Sequence, residues 1–212
     1  MLNRGMYFIV ALSLATIGLL FFQASCVEET SGETIIRTDL STYENFQSTY
    51  RAYSVHLPVD WKIKEHRKSA SLQALSPFSR SSDNQYREHV SIFPMRGTVT
   101  HNRKKGMEKE SLNLNSFAAR HHKQLSRTLT NFKSIQTGEQ VLNGIKAKRY
   151  VYAYEDAQDA GKVLKSLVYI LVYNNEAYLI NGTDLAEEFN DSSKLFEEVA
   201  ESIQFNLETA SL

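Results

Sequence analysis

Three features of the chain predict an α+β fold, a twisted and mainly antiparallel β-sheet with helices packed on its faces. Apolar and polar residues alternate over several stretches, short polar turns separate those stretches, and two amphipathic helical segments are set among them. The short connections set the direction of pairing: strands joined by a few residues run antiparallel, whereas parallel strands need long crossovers. From Tyr50 to Leu207 the chain runs for about 160 residues without an internal linker or repeat, a length suited to one domain with one core.

The elements follow in order. Tyr50–Leu57 is β-prone and alternating, Pro58-Val59-Asp60 is a turn, and Trp61-Lys62-Ile63 resumes extension. Pro58 ends the strand because it lacks an N–H for the ladder, and Trp61 is placed to cover one end of the core, with a ligand platform as the alternative role. Ala70–Leu75 and His89–Met95 supply two more strands, with Pro77-Phe78 and Ser81-Ser82-Asp83-Asn84 as the breaks between them. A helix is predicted from Ser116 to Thr130, capped by Asn115, with Leu114, Ala118, Leu125 and Leu129 at helical spacing.

The strongest β signal comes next. Phe132–Leu142 leads through Asn143-Gly144, a dipeptide whose residues both accept positive φ and so suit a tight hairpin. In Ile145–Tyr154, Ile145, Ala147, Val151 and Ala153 share one face, while Lys146, Lys148, Tyr150, Tyr152 and Tyr154 share the other. Leu167–Tyr173 is continuously apolar or aromatic, which predicts a strand covered on both faces. Asn174-Asn175 turns the chain into Ala177–Ile180. A last helix, Asp191–Ile203, directs Phe196, Val199, Ala200 and Ile203 inward and leaves Glu197, Glu198 and Glu201 to water.

The segment Tyr53-Ser54-Val55-His56-Leu57-Pro58-Val59-Asp60-Trp61-Lys62-Ile63 resembles the opening of PsbP-like domains, in which an aromatic residue, Ser, Val, a hydrophobic residue and Pro precede a Trp. That group includes the photosystem II extrinsic protein PsbP and bacterial DcrB-type lipoproteins. The later order is similar too: a mid-chain helix, Asn143-Gly144 followed by Arg149-Tyr150, a strand ending in Tyr178-Leu179-Ile180-Asn181-Gly182-Thr183, and a closing helix running into Ile203-Gln204-Phe205. The resemblance spans most of residues 50 to 207. It implies a PsbP-like sandwich and an accessory or assembly role beside a larger membrane complex, without catalysis. Members of the group have been associated with metal ions.

The N-terminus reads as an address. A basic Arg4, an apolar stretch from Tyr7 to Phe22, and the small residues Ala24 and Ser25 before Cys26 make up the parts of a secretory signal over residues 1–25. The apolar stretch of about 16 residues is shorter than the roughly 20 that span a hydrocarbon core, which favours cleavage. Cys26 is the only cysteine, so no internal disulfide can form, and its position resembles the lipobox of bacterial lipoproteins, where the cysteine is acylated. Gln23 departs from the aliphatic residue usual three positions earlier. Ala24-Ser25-Cys26 also fits an ordinary cleavage site that would release a soluble protein. Residues 26–48 read as the anchor site and a polar tether, with the acidic pair Glu28-Glu29 resembling a sorting signal, and residues 49–208 as the domain.

Composition narrows the function classes. With 24 basic and 24 acidic residues the chain has no overall field to gather nucleic acid, and the cluster His101-Asn102-Arg103-Lys104-Lys105 reads as a solvated loop. Gly-rich phosphate loops, G-x-S-x-G elbows and H-E-x-x-H pairs are all missing from the sequence, and no catalytic residue or cofactor is assigned. His121 and His122, adjacent on a helix, project about 100° apart and suit a single ion poorly, while His56 and His89 lie on strands. The stripe Tyr150, Tyr152, Tyr154 forms either a binding surface with the stems of Lys146 and Lys148 or, under a helix, the second face of the core. The expected function is a lipid-anchored envelope protein with a non-catalytic domain that binds another envelope protein. The alternatives are a small-ligand or metal-binding periplasmic protein, and a hydrolase whose site is assembled from distant residues.

Overall fold

The computed structural model describes residues 42–79, 87–96 and 112–205, apart from 158 and 160. Cys26, Gln23, Glu28-Glu29, the cluster at residues 101–105 and Leu207 lie outside them.

Among the described residues, ten strands and two helices follow one another as β1 (Tyr43–Gln47), β2 (Tyr53–Pro58), β3 (Lys62–His66), β4 (Ser71–Ser79), β5 (Arg87–Arg96), α1 (Leu114–Thr128), β6 (Lys133–Leu142), β7 (Ile145–Glu155), β8 (Val163–Tyr173), β9 (Glu176–Leu185), α2 (Phe189–Glu201) and β10 (Gln204–Phe205). Seven strands form one antiparallel sheet in the order β3-β4-β5-β9-β8-β7-β6, and β1-β2-β10 form a second, smaller sheet. The fold is α+β.

The path of the chain explains the strand order. Between β5, in the middle of the large sheet, and β6, at its far edge, lies α1, so the chain crosses a face before three hairpins bring it back through β7 and β8 to β9. Two of the three hairpin turns are made by local chemistry. Asn143 (φ 45°) and Gly144 (φ 82°) turn β6 into β7, and Asn174 (φ 48°) and Asn175 (φ 61°) turn β8 into β9, with asparagine supplying the left-handed conformation at little steric cost.

β8 is covered on both sides, and its alternation sorts the core into two layers. Leu167, Tyr169 and Leu171 join the larger cluster with Leu72, Val90, Ile92, Ala147, Val151, Tyr178 and Ile180 of the sheet. That layer is closed by Tyr53, Val55, Leu57 and Trp61 from the β2 region and by Phe196, Val199, Ala200 and Ile203 from α2 and its end. Val168 and Ile170 face the other way, beneath α1, with Tyr152, Ala177, Phe117 and Ala118. Trp61 is 5% exposed and its backbone N–H donates to the Pro58 carbonyl (3.1 Å), so the turn that ends β2 also places the residue that carries the ring.

Two boundaries depart from the sequence reading. The tether expected to reach residue 48 ends earlier, because Tyr43–Gln47 pairs along β2. Its only core-packed side chain is Phe46, so backbone hydrogen bonds rather than an apolar period hold it, and periodicity had nothing to register. Helix α1 begins at Leu114, with Asn113 and not Asn115 as its cap: the Asn113 Oδ1 accepts from the Ser116 N–H at 3.0 Å. The side chains of the α2 glutamates stay exposed, as expected, and carry hydrogen bonds at its margin. Glu197 accepts from Arg149 Nη2 (2.7 Å), Glu198 from the Tyr43 hydroxyl (2.5 Å) and Glu201 from Gln140 Nε2 (2.8 Å).

Candidate functional site

The residues with chemical promise converge where α1 crosses the β6–β7 hairpin. Helix α1 is fixed at both ends. Asn175 in the β8–β9 turn accepts the Leu112 N–H through Oδ1 (2.7 Å), and beyond the other end Asn131, at φ 53°, donates from Nδ2 to Glu155 (2.5 Å). The hairpin is fixed at its tip: Asn143 Nδ2 donates to the carbonyls of Glu201 (2.9 Å) and Ile203 (2.6 Å), satisfying backbone groups left open at the end of α2. On the face away from α1, Arg149 donates to Gln136 (2.8 Å), Glu197 (2.7 Å) and the Tyr169 hydroxyl (3.3 Å), which in turn donates to Gln140 (3.1 Å). Edge strand, hairpin and helix α2 are thereby held as one unit.

Under α1 the tyrosine stripe divides. Tyr152 is 1% exposed and packed with Phe117, Ala118 and Val168. Its hydroxyl has no hydrogen-bond partner among the described residues, and burial, reinforced by the neighbouring Tyr150, raises its pKa well above the ordinary value. Tyr154 is turned into a polar seam, sharing a hydrogen bond with Ser166 Oγ (3.1 Å), which shares another with Thr183 Oγ1 (2.8 Å). Tyr150 stays at the margin, stacked on Tyr152 at 5.5 Å between centroids. The three rings are therefore not one open surface. Helix α1 packs on the stripe, with His122 against Tyr150 and Tyr152, because the apolar bodies of these tyrosines offer α1 the area it needs to bury.

His122 sits among aromatic rings, 5.6 Å from Phe132, 5.8 Å from Tyr150 and 5.7 Å from Tyr152. His121 lies one turn from Phe117 and from Leu125 and is half-buried. Burial, with a smaller contribution from the charge on His122, pushes its pKa from 6.5 down to about 4. Between those values the unfolded chain takes up a proton that the folded domain refuses. The stability due to a neutral His121 is thus complete above about pH 6.5 and is lost as pH falls toward 4. Urea unfolding at pH 7.5 and pH 4.5 should show a loss of about 2 kcal/mol on acidification beyond that of a His121→Leu variant. Equal slopes for the two proteins would show that His121 does not control it.

The aromatic cluster leaves a groove beside it. A cavity of about 450 Å³ is lined by Ala119 and His122 from α1, Thr137, Gly138 and Glu139 from β6, and Lys148 and Tyr150 from β7. A second space of about 230 Å³ lies against the same Glu139, bordered by Asn113, Leu114, Asn115, Lys146 and Ala147. Lys148 and Glu139 form an ion pair across the strands, and hydrogen bonding from Lys148 holds the Glu139 carboxyl below its usual range. Lys146, next along the same face, is exposed and pairs with no acidic group among the described residues. Of the tyrosine stripe, only Tyr150 lines this groove.

The sequence reading missed the groove because it joins residues far apart in the chain, from Asn113 to Tyr150. The signal it did carry was Lys146, Lys148 and Tyr150 on one strand face. His56 and His89 stand on separate strands in separate sheets. Among the described residues, no three His, Cys, Asp or Glu side chains are grouped to hold a metal ion, and no helix is long and apolar enough to cross a membrane.

No protein-family model matches the chain, and no curated protein matches it in sequence. Solved structures do match. The chain is similar to the cyanobacterial PsbP, CyanoP, of Synechocystis sp. PCC 6803, with a TM-score of 0.54 and 11% identity, covering 84% of this chain and 98% of that one. It is similar to LpqN, involved in cell envelope biogenesis of Mycobacterium tuberculosis, with a TM-score of 0.54 and 10% identity over 78% and 91% of the two chains. It is also similar to the Ran-binding protein Mog1p of Saccharomyces cerevisiae, with a TM-score of 0.51 and 10% identity over 78% and 96%. At such identities the likeness concerns the arrangement of strands and helices, and by that arrangement the chain has the PsbP-like fold.

Proposed function

We propose that this chain is an exported bacterial envelope lipoprotein, anchored by lipid on Cys26, whose PsbP-like domain binds another envelope component without catalysing a reaction. The groove between α1 and the β6–β7 hairpin is the binding site in this reading. The observation that carries it is the union there of a cavity with exposed polar groups, while Tyr152 of the same stripe is buried. The N-terminal pattern ending in Cys26 supports the address, and the similarity to an envelope biogenesis protein of M. tuberculosis is in keeping with it. Within the groove, the strongest charges, Lys148 and Glu139, neutralise each other, and His122 is engaged by rings rather than by a hydroxyl it could activate. That composition suits recognition better than acid–base or nucleophilic chemistry.

Two experiments test this. Replacing Cys26 with Ser should abolish acylation, seen as a loss of mass, and shift the protein from the membrane to the soluble fraction; unchanged mass and partitioning remove the lipoprotein reading. A photoreactive residue in place of Thr137 should capture a discrete envelope component in intact cells, while the same residue at exposed Val59 should not. Equal capture from both positions would remove the groove as the binding site.

A further inference from the structure

β6 is ten residues long, ends the seven-stranded sheet and pairs with β7 alone. Every second residue of such a strand turns its N–H and C=O away from its neighbour, and among the described residues none of these groups on β6 has a backbone partner outside β7. Long edges are normally blunted by proline, by unpaired charge, or by a covering element. β6 has no proline, its one lysine, Lys133, lies before the bulge, its Glu139 is neutralised by Lys148, and α1 leaves Thr137, Gly138 and Glu139 open to the groove. A bulge at Ser134–Gln136 disturbs only the first part of the strand, and from Gln136 to Leu142 the register with β7 is regular.

A strand added at this edge would send alternate side chains to opposite faces of the sheet. On the face of α2 they would meet Gln136 and Gln140, already tied to Arg149 and Glu201. On the face of α1 they would enter the groove. The register places Thr137, Glu139 and Val141 on that side, opposite Tyr150, Lys148 and Lys146. With Lys148 matched by Glu139, the second space beside the groove keeps the positive charge of Lys146, opposite Val141, which is 60% exposed. An occupant with acidic side chains on this face would complement it. A second copy of the chain fits less well, since antiparallel pairing of β6 with itself would set the bulged segment of one copy against the regular segment of the other.

We propose that β6 is a docking edge for an extended peptide segment of another polypeptide, which adds to the sheet as an eighth strand and projects an acidic side chain into the groove toward Lys146. This rests on the binding role given to the groove above and names the chemistry of its partner. Backbone hydrogen bonds supply the affinity, and the groove selects the side chain.

The test uses the full lipidated chain in detergent and a fluorescein-labelled octapeptide of alternating valine and glutamate. Its controls are the valine–lysine peptide and the valine–glutamate peptide with alternate amides N-methylated. The valine–glutamate peptide should bind and slow amide exchange across residues 133–142, both controls should bind at least tenfold more weakly, and Lys146→Glu should cost at least tenfold in affinity. Equal binding of the three peptides, protection confined to other strands, or an indifferent Lys146→Glu variant would overturn strand addition. Capture of an envelope component from Thr137 without protection of β6 by the peptide would leave the binding role standing and remove this one. Failure of both would remove both.

Discussion

Replacing Trp61 with Ala should lower the stability of the domain by about 3–5 kcal/mol, the range for truncating a large buried aromatic side chain. The ring is 5% exposed and joins Leu57, Leu72 and the α2 residues in the larger core cluster, so removal leaves a cavity among side chains from several elements. Its position at the turn after Pro58 limits relaxation, because the Trp61 N–H is bonded to the Pro58 carbonyl and the chain pairs again from Lys62. Thermal unfolding should fall by about 10 °C for a domain of this size. Val59→Ala, two residues away at a side chain 51% exposed, should stay within about 0.5 kcal/mol of the parent. A Trp61→Ala protein as stable as the Val59→Ala one would mean that the ring does not fill the core and would favour a ligand role.

Gly182→Ala should be nearly as damaging, for the opposite reason. A Cβ at this position in β9 would lie 2.2 Å from Cγ of Phe196 and 2.6 Å from both of its Cδ atoms, well inside contact distance. Phe196 cannot swing clear, since it is 2% exposed and packed in the same cluster as Val199 and Ile203. The helix must lift or the ring must leave its rotamer, at a cost of about 3 kcal/mol. Phe196→Leu alone should also destabilise, yet in the double variant the smaller side chain makes room for the new methyl group. The two losses should then sum to more than the double variant shows, a coupling readable by urea unfolding of the four proteins. Strict additivity would mean that the ring does not press on the glycine.

The two substitutions probe the same layer from opposite directions, and both bear on the groove only through the sheet. Gly182 lets α2 approach β9 closely, and α2 in turn holds Arg149 through Glu197 and, with Ile203 just beyond its end, the hairpin tip through Glu201. The edge that borders the groove therefore owes its position to packing on the far face.

Much of this architecture was legible in the residues because the controlling physics is local. Asn143-Gly144 specifies a turn through the φ values its two residues accept, the apolar run in β8 specifies a strand buried on both faces, and the spacing of Phe196, Val199, Ala200 and Ile203 specifies the inward side of α2. Pro58 marked the end of β2 because it has no N–H to give. The alternation Lys146, Lys148, Tyr150, Tyr152, Tyr154 on one face of β7 was equally plain, since it follows from the pleat.

What covers that face is not a property of β7. Only the folded chain decides that α1 buries Tyr152, sets His122 against Tyr150, and opens a groove against β6, because those contacts join segments whose order in sequence says nothing of their distance in space. The same holds for β1, recruited by backbone pairing with a single core side chain, and for Gly182, whose need for a hydrogen in place of a methyl group exists only when Phe196 arrives from α2. Local periodicity selected the elements and their inward faces; long-range packing alone determined which side chains are sealed and which remain available to bind.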